Sequence, residues 1–337
     1  MIISKKQRVV LKRIMWVFIP AILVCVIGVV LMDGYMVMRL TRPMKTPLYG
    51  SPHDLQMIMQ KPMWSDEKWK DTDGTQSVGW FLTRGKPAPT IIISHGYGEN
   101  RSEFLTLGFE LWKAGYNTLL YDLRGHGEST VDWSSLGIYE KDDLLSAISY
   151  AKNIKNADGK PATDGRIGLY GVEIGAYSSI MAGSESPMVK AIAVDSVYPD
   201  IPTYIKYRLK AGVGNGNIWA RLVDHPTTEK LTKLGLQLYL ARRNDSETAP
   251  EALKSASDRR FLFIVGSDSG TLADTTKALY DLAGDPQKEF AQLNKSRLDR
   301  LYENDSADYD ARVVAFFKEA MPASGGAPVT PVQRASR

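Results

Sequence analysis

The chain has 337 residues, 44% of them hydrophobic, with 42 Lys and Arg against 38 Asp and Glu, which is enough to bury a full core in one large domain. Lys5, Lys6, Arg8, Lys12 and Arg13 carry the basic excess: setting these five aside leaves 37 cations against 38 acids, and with that balance there is no electrostatic case for a nucleic-acid partner. Cys25 is the one cysteine, so a disulfide framework and a CxxC metal site are both excluded, and no metal or cofactor is implied.

In chain order, residues 1–13 form a basic segment and residues 14–32 the first predicted helix. Ile14 to Met32 carries no charge, and at ~1.5 Å per helical residue it just spans a hydrocarbon core of ~30 Å. A cleaved signal peptide would have an apolar core of roughly 7–15 residues and an A-x-A-like site, and neither is present. Lipidation at Cys25 is disfavoured by the bulky Val24 before it and by the apolar run beyond it. A single-pass membrane anchor is therefore expected. The cations before the span, set against Asp33, Arg39, Arg42 and Lys45 after it, favour a cytoplasmic N-terminus and an extracytoplasmic domain, periplasmic in a Gram-negative cell.

Residues 33–75 read as a Pro-, Met- and Trp-rich connector whose prolines argue against a continuous helix into the domain. His53 is read there as an ordinary loop residue. Residues 322–337 have the Pro, Gly and Ser content of a disordered tail. Between them, residues 76–321 alternate β-branched runs with amphipathic stretches, the pattern of βαβ units around a mostly parallel sheet. Strands are expected to end at Ser94, Asp122, Gly171, Asp195 and Gly266. Helices are expected at Phe104 to Lys113, Lys141 to Ile154, Ala176 to Ala182, Asp274 to Leu282 and Asp308 to Ala320. Ligands of such sheets bind beyond the carboxyl ends of the strands.

The loops at those ends read "SHGYGENRS" (94–102), "YDLRGHGES" (121–129) and "GVEIG" (171–175). In this order they resemble the α/β-hydrolase superfamily, nearest to its serine aminopeptidase (S33) and lysophospholipase-like branch. The resemblance covers roughly residues 75 to 320 and implies an α/β-hydrolase fold with a helical lid, here residues 198–250. It also implies that the loop carrying Gly96 and Gly98 gives the Tyr97 N–H to an oxyanion hole, completed by the N–H of Ile174. Gly171 and Gly175 meet the elbow's need for small residues on either side of its strained centre.

At that centre the sequence departs from the family, because Glu173 stands where the nucleophilic serine is expected. The acid position falls on Asp268, with Asp274 and Asp195 as alternatives, and the histidine position falls on Lys295 or Ser296. His53, His95, His126 and His225 all lie upstream of Asp268. Of these, His95 and His126 belong to loop motifs, and His225 reads as a surface or capping residue of the lid. Without a base to take its proton, even a serine at 173 would be a poor nucleophile. The expected function is a membrane-anchored, catalytically degenerate hydrolase fold that binds a small molecule or a partner protein. The expected fate of Glu173 is to point toward the oxyanion-hole N–H groups or to pair with a cation such as Lys295. The alternative is an active hydrolase that uses Glu173, or a base not identified, on ester, amide or related bonds; the elbow aspartate of the dehalogenase branch is the precedent for a carboxylate nucleophile.

Overall fold

The computed structural model describes residues 5–54, 63–156, 158–213, 225–240, 248–298 and 303–323. The start of the basic segment, the middle and end of the lid (214–224 and 241–247) and the tail from 324 lie outside the described residues.

The chain folds around one eight-stranded sheet: β1 (Met63–Lys70), β2 (Gln76–Thr83), β3 (Ala88–Ser94), β4 (Asn117–Tyr121), β5 (Thr163–Val172), β6 (Val189–Asp195), β7 (Arg260–Gly266) and β8 (Glu289–Leu293). Their order is β1-β2-β4-β3-β5-β6-β7-β8. The β1–β2 and β2–β4 pairs are antiparallel, and every other pair is parallel. This is an α/β-hydrolase fold with a mostly parallel sheet flanked by helices. Strand β3 is buried along its whole length, as its unbroken apolar run requires when helices cover both faces.

One face packs against α2 (Leu105–Lys113) and α9 (Glu303–Ala320) through Leu107, Leu111, Val313, Phe316 and Phe317. The other packs against α3 (Ile138–Asn153), α4 (Ile174–Glu185), α7 (Ala249–Ser255) and α8 (Thr271–Leu282), with Leu144, Ile180, Leu253 and Leu279 in its core. The stretch expected to form a lid contains α5 (Ile201–Val213) and α6 (Pro226–Leu240).

The five strands expected from sequence are present, and β1, β2 and β8 are additions. Strand β1 lies inside the stretch read as connector; it is charged and mostly exposed because it closes the sheet edge with one neighbour only. The opposite edge strand, β8, is five residues long and half-buried, too short to stand out from its flanks.

The N-terminal helix, α1, runs from Lys5 to Thr41, well past residue 32. Its Phe18–Thr41 stretch is long and apolar enough to cross a membrane, as an anchor or a signal sequence would be, and an 18-residue window in it has a mean hydropathy of 2.3 and is almost wholly uncovered by protein. It stops just before Arg42, whose place ahead of Pro43 disfavours helical backbone. The last turns are part of the domain: Val37, Leu40 and Thr41 are buried, and α1 packs against α6. The carbonyls left open at a helix C-terminus are met by the domain. Tyr97 Oη donates to Arg39 O (3.2 Å) and Leu40 O (3.1 Å), and Ser134 N donates to Thr41 O (2.7 Å).

Candidate functional site

Strand β5 runs into α4 through a sharp turn centred on Glu173, which has φ 47° and ψ −106°. A non-glycine residue held there costs about 1–3 kcal/mol and persists only where its surroundings dictate it. Its neighbours show why they are glycines. A Cβ on Gly171 would lie 2.2 Å from Gly175 O, and one on Gly175 would lie 2.4 Å from Ser94 O. No side chain fits at either place without moving backbone.

The Glu173 side chain is 3% exposed. Its Oε2 accepts the Tyr97 N–H at 3.1 Å. Ile174 is the first residue of α4, so its N–H belongs to the first-turn donors that have no acceptor within the helix, at the positive end of the helix dipole. Glu173 Oε1 lies 3.7 Å from the Arg208 guanidinium, which reaches in from α5. The same guanidinium sits 4.0 Å above the Tyr97 ring. Burial raises the Glu173 carboxyl, with Arg208 and the Tyr97 N–H opposing the rise. The Tyr204 hydroxyl, fully buried near this carboxylate, favours the ionised form, yet it makes no hydrogen bond of good geometry. The cation facing Glu173 is thus Arg208, not Lys295. The latter is exposed on the loop after β8, whereas the lid helix carries Arg208 over Tyr97.

Glu99 closes on the same loop. Its Oε2 accepts the Gly96 N–H at 2.7 Å, and a methyl group on Gly96 would sit 2.9 Å from that oxygen and 3.4 Å from Glu173 Oε2. Burial of the inward-turned carboxyl, reinforced by the charge of Glu173, pushes Glu99 up to about 8. Gly98 turns the loop with φ +84°.

The expected acid and histidine positions meet. Asp268 Oδ1 accepts the Ser296 N–H at 2.7 Å, so the loops after β7 and β8 are in register. Ser296 is fully buried. Asp195, at the end of β6, is saturated by the Arg297 N–H (2.7 Å), the Tyr309 hydroxyl (2.7 Å) and the Ser196 hydroxyl (2.8 Å), and burial raises it to about 6. Asp274 lies in the first turn of α8.

The histidines stand elsewhere. His95 Nε2 accepts the Leu123 N–H at 3.0 Å and its Nδ1 lies 2.7 Å from Gly96 O, while His126 Nδ1 lies 2.8 Å from Arg124 O. Burial pushes them down to about 4 and about 3, so both are neutral parts of the loops. His225 is exposed and accepts the Thr227 N–H at the start of α6. His53 is exposed as well. Among the described residues no group of three or more His, Cys, Asp or Glu side chains is placed to hold a metal ion.

Arg208, Tyr204 and Glu99 are site residues that the sequence did not single out. Tyr204 and Arg208 share a helix face at i,i+4, which was the available signal. Glu99 had only its place beside the H-G-x-G loop.

Three comparisons place this geometry among known proteins. The family model for X-Pro dipeptidyl-peptidase (S15 family) matches residues 82–281. YqkD of Bacillus subtilis (strain 168) is 31% identical over 224 residues, covering 66% of this chain and 68% of that protein. The esterase Pf2001 of Pyrococcus furiosus superposes with a TM-score of 0.61 at 22% identity, over 83% of this chain and 99% of its own. A dienelactone hydrolase from Anabaena variabilis gives 0.52 at 14% identity, over 77% and 99%. Two likenesses this distant speak for the fold alone, but the family match spans more than half of the chain and covers the elbow, both glycine loops and the described lid helices. The chain belongs to the X-Pro dipeptidyl-peptidase (S15) family of α/β-hydrolases.

Proposed function

We propose that this protein is a membrane-anchored α/β-hydrolase-fold binder that has given up conventional Ser-His-Asp hydrolysis and acts by holding a small molecule or a partner protein. The observation that carries this reading is the 3.1 Å hydrogen bond from the Tyr97 N–H to Glu173 Oε2. The protein's own carboxylate takes the donor that acyl transfer would aim at a developing oxyanion. Attack by Glu173 on an ester or amide would pass its charge to the carbonyl oxygen, and the anhydride formed would then need a water activated by a base. The residues at the histidine position, Lys295 and Ser296, supply no imidazole. In a serine hydrolase built on such a triad, losing the serine or the histidine costs about 10⁶ in kcat.

The motif order supports a place near the serine aminopeptidase and lysophospholipase-like branch within the superfamily. Anchoring with a cytoplasmic N-terminus is supported by the basic residues ahead of the uncovered apolar stretch of α1. It is supported as well by the burial of Val37, Leu40 and Thr41, which makes the end of that helix a working part of the domain.

One observation favours a second reading, an active hydrolase. The Glu99 carboxyl, pushed up to about 8, lies close to Glu173 and stays protonated at neutral pH, as a general acid must. A single experiment separates the two readings. A fluorophosphonate probe and a panel of short and long acyl esters are offered to the purified full-length protein in detergent. No labelling and no turnover is the expected result. Covalent labelling of a serine, or ester turnover that Glu173→Gln abolishes, would overturn the binding reading.

A further inference from the structure

The α/β frame brings two carboxylates, Glu173 and Glu99, and the ring face of Tyr97 to one spot, while the positive charge there arrives on the lid as Arg208. The guanidinium lies close on the Tyr97 ring, at 4.0 Å, but its ion pair with Glu173 is long. Arg208 stands 3.7 Å from Glu173 Oε1, beyond hydrogen-bond length. The Tyr204 hydroxyl, one helical turn before it, is buried near Glu173 without a hydrogen bond of good geometry. Frame and guanidinium nevertheless complement each other: a cation over an aromatic face beside a desolvated carboxylate is attracted by both.

The rigid and movable halves of this contact are unequal. Tyr97 is pinned through its hydroxyl to the carbonyls of Arg39 and Leu40, and its ring packs edge-on against His126 at 5.6 Å. Glu173 is pinned by the elbow. On the α5 side, Tyr204 stacks on Tyr198 at 4.2 Å and Tyr198 on Tyr177 at 4.8 Å, Tyr198 Oη donates to Leu136 O at 2.8 Å, and Ile205 is buried in the core, while Arg208 projects from the next turn. Withdrawing Arg208 would leave a buried carboxylate without its counter-charge, a state that is strongly destabilised. Another cation in its place removes that penalty.

We propose that the elbow pocket is a binding site for a guanidinium-bearing ligand, which takes the place that Arg208 fills when the lid lies on the frame. Arg208 is then a tethered occupant, and the external ligand competes with it. Glu173 accepts the ligand's N–H groups, and the Tyr97 ring stacks on its plane. The inference deepens the binding reading and rests on it for the pocket's role. Its test reads binding alone, so esterase activity would sink that reading without touching this one.

The test uses full-length protein in detergent micelles, titrated calorimetrically with methylguanidinium, its neutral counterpart methylurea, and acetate. Arg208→Ala is expected to bind methylguanidinium at least tenfold more tightly than the wild type, because the tethered competitor is gone. Adding Glu173→Gln to it should reverse the gain. Arg208→Gln keeps a helix-compatible polar side chain and should shift in the same direction, so it decides the matter if the alanine variant folds poorly. Methylurea should bind neither variant. The proposal is overturned if removal of Arg208 leaves methylguanidinium affinity unchanged, if methylurea matches methylguanidinium, or if acetate is the preferred ligand. Agmatine and an arginine-containing tripeptide, run side by side, distinguish a free from a peptide-borne guanidinium.

Discussion

Asp268 accepts the Ser296 backbone N–H at 2.7 Å, which brings together the two places where the sequence leads one to expect a triad's acid and histidine, though no histidine is there. On the proposed reading the frame for catalysis is kept and its chemistry lost, which makes repair a quantitative test. Glu173→Ser alone is expected to stay nearly inactive on a short acyl ester, since a hydroxyl without a base is a poor nucleophile. The exposed Lys295 is taken as the site for the histidine, because Ser296 is fully buried. Glu173→Ser with Lys295→His should exceed the product of the two single effects by about tenfold or more, as residues acting as one unit do. A rapid esterase from Glu173→Ser alone would mean that an unrecognised base is already in place.

Stability should fall as the pH rises from 7 to about 8. Glu99 is held up to about 8 in the folded protein, against about 4.3 for an unperturbed glutamate. In that window the folded state binds more protons than the unfolded chain, so the free energy of unfolding decreases with pH. His95 and His126, pushed down to about 4 and about 3, act with the opposite sign and lower. The unfolded chain binds more protons than the folded state between those values and about 6.5, and their contribution is lost on acidification. Between pH 7 and 8 the histidines are silent. Glu99→Gln should flatten the slope there by on the order of 1 kcal/mol, discounted for the partly exposed stem. Urea melts at pH 7.0, 7.5 and 8.0 measure it, and an unchanged slope in the variant would refute the assignment.

The end of α1 should matter to the fold as well as to the membrane. A chain starting at residue 33 keeps Val37, Leu40 and Thr41 in their buried places, and one starting at residue 45 loses them. Removing the two apolar side chains from the core should cost about 3 kcal/mol or more. The shorter chain is expected to melt several degrees lower, read by circular dichroism in the same buffer. Equal melting temperatures would show that the docking of α1 onto α6 and Tyr97 contributes nothing to stability.

Much of the architecture was legible because it is written locally. "TIIIS" and "RFLFIVG" announce buried parallel strands through unbroken apolar runs, and Gly171 and Gly175 flank the elbow because any Cβ there meets backbone within 2.4 Å. The charged edge strand β1 and the five-residue β8 left no such mark, since edge strands keep one flank open and need little burial. Likewise, the identity of residue 173 and the absence of a histidine after Asp268 could be read directly from the chain. What tertiary structure alone decided was the company these residues keep. Glu173 meets Arg208 rather than Lys295, Tyr97 ties the H-G-x-G loop to the end of α1, and Asp268 meets Ser296. Each pairing joins elements far apart in sequence. Periodicity reports which face of an element is buried; which partner covers that face depends on how the lid and α1 pack over the sheet.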